Sequence, residues 1–205
     1  MTNRLRAFAT LALLACAPAS LQAQMANPAA KATADENLPF EMTEIGTFAA
    51  PWAMAFLPNG KILVTQKKGE MILFDPKGGA KTTLSGTPAV VSGGQGAMMD
   101  VVLSPDFARS KKIYFSFSEA GEGKTNGAAL ATATLDEAGG ALKDVKIIFR
   151  ASPYIEAFAH WSGRIAFSPD KKYLFFTNGG RAKADPAQDP AQTLGKVVRV
   201  NLDGR

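Results

Sequence analysis

Short apolar runs separated by tight polar turns fill the chain from Trp52 onward. Trp52-Ala-Met-Ala-Phe56 breaks at Pro58-Asn59-Gly60-Lys61, Ile62-Leu-Val-Thr-Gln66 breaks at Lys67-Lys68-Gly69-Glu70, and Met71-Ile-Leu-Phe-Asp75 follows. Pro-Asn-Gly and Lys-Gly punctuation between β-branched and aromatic runs predicts a meander of three antiparallel strands. The runs are apolar throughout rather than alternating, which predicts strands covered on both faces, as in stacked sheets.

The same unit recurs along the chain. Phe56-Leu-Pro-Asn59, Leu103-Ser-Pro-Asp106 and Phe167-Ser-Pro-Asp170 each close one apolar run. Each is soon followed by another run: Ile62-Leu-Val-Thr65, Ile113-Tyr-Phe-Ser116 and Tyr173-Leu-Phe-Phe-Thr177. The prolines Pro58, Pro105 and Pro169 stand 47 and then 64 residues apart. A repeat of about 40 to 50 residues, worth about four short strands, is the signature of a β-propeller blade. The longer second interval predicts an inserted loop at Gly121 to Gly127. A β-sandwich would explain the strands but not the recurring strand, Pro-Asp/Asn turn, strand unit. The expected fold is therefore all-β, a β-propeller with about three blades in residues 40–205. Three blades leave open faces with exposed apolar surface. The expectation follows that the sequence is a partial copy of a longer protein.

The N-terminus reads differently. Arg4 and Arg6 precede an apolar stretch from Ala7 to Ala17, and small and polar residues lead to Ala23-Gln24. That order predicts a signal peptide over residues 1–23, because the apolar stretch is too short to span a bilayer. Periplasmic or secreted location follows. Cys16, the only cysteine, lies inside this segment, so a mature chain beginning at Gln24 has no disulfide. Leu13-Leu14-Ala15-Cys16 read as a lipoprotein box is the less favoured alternative. Residues 24–39 have little to bury and read as a flexible leader. No other long apolar stretch exists, so no transmembrane segment is expected.

The full chain carries 23 Lys+Arg against 18 Asp+Glu, a formal net of +5. Loss of Arg4 and Arg6 with an acid-free signal peptide lowers this to about +3. Lys67-Lys68, Lys111-Lys112 and Lys171-Lys172 each sit in a turn, so the charge is scattered and nucleic-acid binding is disfavoured.

His160 is the only histidine. It stands in Ala159-His-Trp-Ser-Gly-Arg164, just before the first apolar strand of the third unit. A neutral imidazole is the natural general base near pH 7, and the start of a blade's inner strand faces the propeller axis. From the residues alone, a packed or surface histidine is the competing reading. A site of several histidines is excluded by count, and no Gly-x-Ser-x-Gly elbow is present for a serine hydrolase. Ser92-Gly-Gly-Gln-Gly-Ala-Met-Met-Asp100 is the second candidate. Its glycines let backbone approach a ligand, and Gln95 offers both a donor and an acceptor. No Gly-Lys-Ser/Thr follows, so it is not a phosphate loop.

The ordered set PWAMAFLPNGKILVTQKKGEM, GGQGAMMDVVLSPDF, IYFSFSE, HWSGRIAFSPDKKYLFFTNGG and AQDPAQTLGKVVRVNLDG resembles the soluble quinoprotein glucose/sorbosone dehydrogenases, which include the periplasmic aldose sugar dehydrogenases. The resemblance runs from about Pro51 to Gly204. It implies a six-bladed propeller that holds pyrroloquinoline quinone (PQQ) over its axis with Ca2+ nearby. It also implies an aldose substrate, an external electron acceptor, and hydride transfer from C1 to the quinone with a histidine as base. By the same resemblance His160 matches that base, Gln95 matches the glutamine near the substrate, and Arg164 matches a structural arginine. Ala159 and Gly180 depart from the pattern, since relatives usually have a polar residue and an acidic residue at these places. The basic residues that grip the quinone, and most calcium ligands, belong to later blades. Two other functions remain open on the residues: a non-catalytic exported propeller that binds a sugar or a protein, and a propeller hydrolase of the lactonase kind.

Overall fold

The turns marked by Pro58, Pro105 and Pro169 are the points at which the chain reverses between the first and second strand of each sheet. A computed structural model describes residues 39–204. The expected signal peptide, Cys16 and nearly all of the expected leader lie outside the described residues. Residues 39–43 are exposed and carry no helix or strand. From residue 44 onward the chain forms one compact unit.

Three antiparallel sheets make up that unit. The first is β1 (Pro51–Phe56), β2 (Ile62–Gln66), β3 (Met71–Phe74) and β4 (Lys81–Thr83), in that order. The second is β5 (Met98–Leu103), β6 (Lys112–Ala120), β7 (Asn126–Asp136) and β8 (Ala141–Arg150). The third is β9 (Ser162–Phe167), β10 (Tyr173–Asn178) and β11 (Lys196–Asn201). Every strand pairs with its sequence neighbour, and the first strands β1, β5 and β9 lie side by side. The fold is an all-β propeller with about three blades. Helix is confined, among the described residues, to one turn at Phe107–Ser110 and a 3-10 turn at Asp185–Ala187.

Two expectations need correction. Residues 41–48 contain no strand, so regular structure starts at Pro51 rather than near Phe40. The extra length of the second repeat is not an inserted loop. β6 and β7 are joined by the five residues 121–125. The length lies in the strands themselves, since β6, β7 and β8 have 9, 11 and 10 residues where β2, β3 and β4 have 5, 4 and 3.

Two apolar seams hold the blades. Leu63, Met71 and Leu73 of blade 1 meet Val101, Phe115 and Phe117 of blade 2. Tyr114 and Leu130, on the opposite face of blade 2, meet Ile165, Leu174 and Phe176 of blade 3. Full burial of such a side chain is worth about 1.5–3 kcal/mol, so these seams supply most of the cohesion.

A polar device repeats at each seam. In each first strand the register slips by one residue opposite a hydroxyl: Trp52 and Ala53 face Thr65, Met99 and Asp100 face Ser116, Gly163 and Arg164 face Thr177. Such a bulge turns backbone groups out of the ladder, and the hydroxyl takes them up. Thr65 Oγ1 accepts from Ala53 N at 3.0 Å, Ser116 Oγ from Asp100 N at 3.1 Å and Thr177 Oγ1 from Arg164 N at 2.8 Å. Thr65 then donates to the carbonyl of Met99 in the next blade, and Ser116 to that of Gly163, both at 2.6 Å.

Candidate functional site

The lead-in segments to β5 and β9 sit at one end of the sheets, and the two sequence candidates meet there. Gln95 Oε1 accepts a hydrogen bond from the His160 backbone N–H at 2.7 Å. The Gln95 backbone N–H donates in turn to the Phe158 carbonyl at 2.8 Å. The glycines of the 92–96 segment make this closeness feasible. A Cβ on Gly93 would stand 2.8 Å from the Phe158 ring, and one on Gly94 would stand 2.4 Å from the Phe158 carbonyl oxygen. What the glycine-rich loop admits is therefore the neighbouring lead-in carrying His160. Lys67 Nζ donates to the Gly94 carbonyl at 2.5 Å and secures the same loop from blade 1.

His160 itself is exposed, with φ of +52°. Ser162 and Gly163 follow with φ of +61° and +96°. A left-handed conformation is costly for a residue with a Cβ, about 1 kcal/mol or more, and persists only where the surroundings enforce it. Gly179 is one enforcing contact. Its N–H donates to the Trp161 carbonyl at 3.0 Å, and a Cβ there would fall 1.8 Å from the His160 carbonyl oxygen. Among the described residues, the His160 ring makes no hydrogen bond or ion pair, while its backbone is held on both sides.

Arg181 is the main structural feature that sequence reading missed. Its side chain is fully buried, and its guanidinium lies 3.3 Å from the centroid of the Trp161 ring. It donates to the Ala159 carbonyl at 3.3 Å, to the Asn126 carbonyl at 3.3 Å, to Asn126 Oδ1 at 2.5 Å and to the Ala157 carbonyl. Its own N–H donates to the His160 carbonyl at 3.3 Å. No carboxylate pairs with it among the described residues, and burial lowers its pKa to about 10. An uncompensated buried cation is expensive, and its justification here is geometric: it collects the carbonyls of the 157–160 segment. Only the Gly-Gly-Arg sequence hinted at it, and that reads as an exposed turn.

The departures at blade 3 also find their places. A Cβ on Gly180 would lie 3.2 Å from the Lys183 carbonyl, with no His160 atom within 4 Å. Asn178 is buried, and its Nδ2 donates to the Thr193 carbonyl at 2.7 Å. It is engaged with the 188–195 segment and does not orient the imidazole.

Nearby, Glu119 at the end of β6 accepts from Arg150 Nε at 2.7 Å and from the Tyr154 hydroxyl at 2.5 Å. Burial pushes the Glu119 carboxyl up, but the hydrogen bonds from Arg150 and Tyr154 outweigh it and hold the pKa below its ordinary value. The same burial, with Glu119 beside it, pushes the Tyr154 hydroxyl well above its ordinary range. Arg164 ties the first strands together. Its Nη1 donates to Asp100 Oδ1 at 3.1 Å and its guanidinium lies 4.6 Å from the Trp52 ring centroid. Asp100 is buried and also accepts from Ile165 N at 2.8 Å.

As a chemical set, an imidazole, a primary amide and exposed backbone at one end of a propeller suit polyhydroxyl ligands and proton transfer. The set does not by itself suit the other implied groups. Among the described residues no three His, Cys, Asp or Glu side chains gather as a metal site. The acidic quinone would need several cations, yet Lys67 is spent on Gly94 and Arg164 on Asp100. Among the described residues these groups do not complete a cation-rich site for an acidic quinone.

Residues 48–205 match the family described as Glucose / Sorbosone dehydrogenase. An aldose sugar dehydrogenase of Escherichia coli is 38% identical over 155 residues, covering 75% of this chain and 42% of that protein. A glucose dehydrogenase crystal structure superposes with a TM-score of 0.76 at 33% identity, over 79% of this chain and 47% of that one. The PQQ-bound aldose sugar dehydrogenase of Streptomyces coelicolor superposes with a TM-score of 0.68 at 31% identity, over 77% of this chain and 46% of that one. The chain thus spans about half, or less, of the length of the proteins it matches.

Proposed function

The chain belongs to the glucose/sorbosone dehydrogenase family, and on that premise we propose that it contributes the substrate-facing part of a PQQ-dependent aldose dehydrogenase acting outside the cytoplasm. The observation that carries this reading is the 2.7 Å bond joining Gln95 to the backbone of His160. It joins the Gln95 side chain to the His160 backbone, which supports a shared role for the two residues that the family resemblance assigns to the sugar. His160 takes the proton from the C1 hydroxyl of the aldose, which requires a ring that is unprotonated and accessible. Gln95 has its oxygen committed to His160, so its amide nitrogen is left to donate to a sugar oxygen. PQQ, if bound, would supply the hydride acceptor, a chemistry that none of these side chains has. The product is a lactone, and the electrons leave to an external acceptor.

The domain limits proposed with it are a signal peptide over 1–23, a leader over 24–39 and a partial propeller over 40–205 whose strands begin at Pro51. Export to the periplasm, or secretion, follows from the first of these. One observation favours a second reading, a sugar- or protein-binding propeller without catalysis: no carboxylate contacts the His160 ring among the described residues. Loss of an orienting carboxylate costs a histidine base orders of magnitude.

Reduction of an artificial dye by the purified protein, with an aldose, added PQQ and Ca2+, separates the two. Dye reduction that requires PQQ, with lactone as product, supports the dehydrogenase. Calorimetric sugar binding without dye reduction, in a preparation whose absorbance shows that PQQ is held, supports the binding protein and overturns the enzyme.

A further inference from the structure

Asn126 opens β7 at the end of the glycine-containing stretch 121–127 and is 1% exposed. Its backbone pairs with Ile155 in both directions. The Asn126 N–H donates to the Ile155 carbonyl at 3.0 Å, and the Ile155 N–H donates to the Asn126 carbonyl at 3.1 Å. The Asn126 carbonyl and Oδ1 also accept from the Arg181 guanidinium, at 3.3 Å and 2.5 Å. Asn126 therefore binds both the segment that leads to β9 and the buried arginine that braces it. Arg181 carries the constraint onward. Its guanidinium donates to the carbonyls of Ala157 and Ala159, and its N–H to that of His160. The intervening Phe158 carbonyl accepts instead from Gln95 N, so the segment is held from two sides.

The consequence falls on His160. Its ring makes no hydrogen bond among the described residues, so the backbone alone sets where the ring stands. That backbone is left-handed, a conformation that persists only where neighbouring bonds enforce it. Asn126 and Arg181 are 1% and 0% exposed, so neither can touch a sugar or a cofactor. A guanidinium is a planar fork that fixes its acceptors in set directions, and Asn126 Oδ1 fixes the fork in turn. We infer that Asn126 and Arg181 are positioning residues for the reaction: Asn126 orients the Arg181 guanidinium, and Arg181 holds the 157–160 carbonyls so that the His160 ring meets the substrate proton. The inference rests on the reading of His160 as the base. It predicts a rate effect from residues that no ligand touches.

The test compares the parent chain with Asn126→Ala and Asn126→Asp. Turnover is measured with an aldose, PQQ and Ca2+, and the ligand-free proteins are examined by NMR. His160 is the only histidine, so its ring gives one unambiguous set of signals. Asn126→Ala removes the oxygen that orients the guanidinium and keeps the backbone bonds to Ile155. The expected result is a kcat lowered about 10- to 100-fold with KM little changed. Faster amide exchange at His160 and Arg181, and altered His160 ring signals, should accompany it. Asn126→Asp restores an oxygen at the same place and adds a carboxylate for Arg181, so it should recover most of the loss. Asn126→Ser, too short to reach the guanidinium, carries the same expectation as alanine if the alanine variant does not fold. A role confined to stability would lower the melting temperature and leave kcat and the ring signals at their parental values. Parental ring signals and amide exchange in Asn126→Ala overturn the inference whatever the rate, and so do altered signals with a parental kcat. No turnover in the parent chain overturns the reading of His160 as the base and the inference with it, so the protein in which the failure appears tells the two apart.

Discussion

The seams between blades and the lead-in to β9 are built from the same strands by opposite rules. At the seams one arrangement is repeated: a bulge, a hydroxyl that takes up its N–H, and a bond to the next blade. Thr65 and Ser116 perform it with equal 2.6 Å bonds. The lead-in to β9 repeats nothing. It holds left-handed His160 and leads into left-handed Ser162, and after β10 it is braced by a glycine that admits the His160 carbonyl and by a buried arginine that no carboxylate pairs with among the described residues. The comparison teaches that the repeat makes the scaffold, while the site is marked by the irregular structure the scaffold tolerates. Strain and an unneutralised cation are kept where they hold a histidine in place.

The largest expected effect breaks the irregular side. Arg181→Met leaves the carbonyls of Ala157 and Ala159 and the Oδ1 of Asn126 without their donor. Unmet buried acceptors cost about 1–3 kcal/mol each, so urea unfolding should show a loss of several kcal/mol, with Arg181→Lys recovering only part. Gly179→Ala comes next, because its Cβ meets backbone rather than a movable side chain. A loss of about 2 kcal/mol or more is expected by the same measurement.

The hydroxyl series sharpens the regular side. Thr65→Val and Ser116→Ala should cost similar amounts, about 1–3 kcal/mol, since each removes the bond that takes up the bulge N–H and a bond of 2.6 Å across the seam. Thr177→Val should cost less, because its bonds, from Arg164 N and to the Arg164 carbonyl, both lie within its own blade. Equal costs for all three would deny the repeat.

The smallest effect is a pH dependence. The folded Glu119 carboxyl lies below its ordinary 4.5. Its contribution is therefore complete above that value and fades as pH falls through the depressed folded value. Glu119→Gln should flatten the acid limb of a melting-temperature profile by a small amount and leave neutral pH little changed.

The sequence made the scaffold legible where turn chemistry is local. The three proline turns and the runs beside them identified the first two strands of each blade, and the bounds of β2 agree residue for residue. The false insertion at Gly121 to Gly127 has a physical cause. Glycines read as loop, yet Gly127 lies within β7, where a Cβ would stand 2.1 Å from the Tyr154 ring. That glycine serves packing across 27 residues of sequence, which no local rule sees. Arg181 was illegible for the same reason, since its partners Asn126, Ala157 and Ala159 are 22 to 55 residues away. The pairing of Gln95 with His160 was suggested by family resemblance and not by their spacing. The bond that joins them spans 65 residues.

In the proposed function, proton transfer falls to the His160 side chain, which is exposed and makes no hydrogen bond among the described residues. The most direct test is PQQ-dependent turnover of an aldose by His160→Asn, measured beside its melting temperature. Asparagine tolerates the left-handed backbone at this position, so the substitution removes the base and little else. The predicted result is an unchanged melting temperature with turnover lowered by about 10²- to 10⁴-fold. Turnover equal to that of the parent protein would contradict the assignment of His160 as the base.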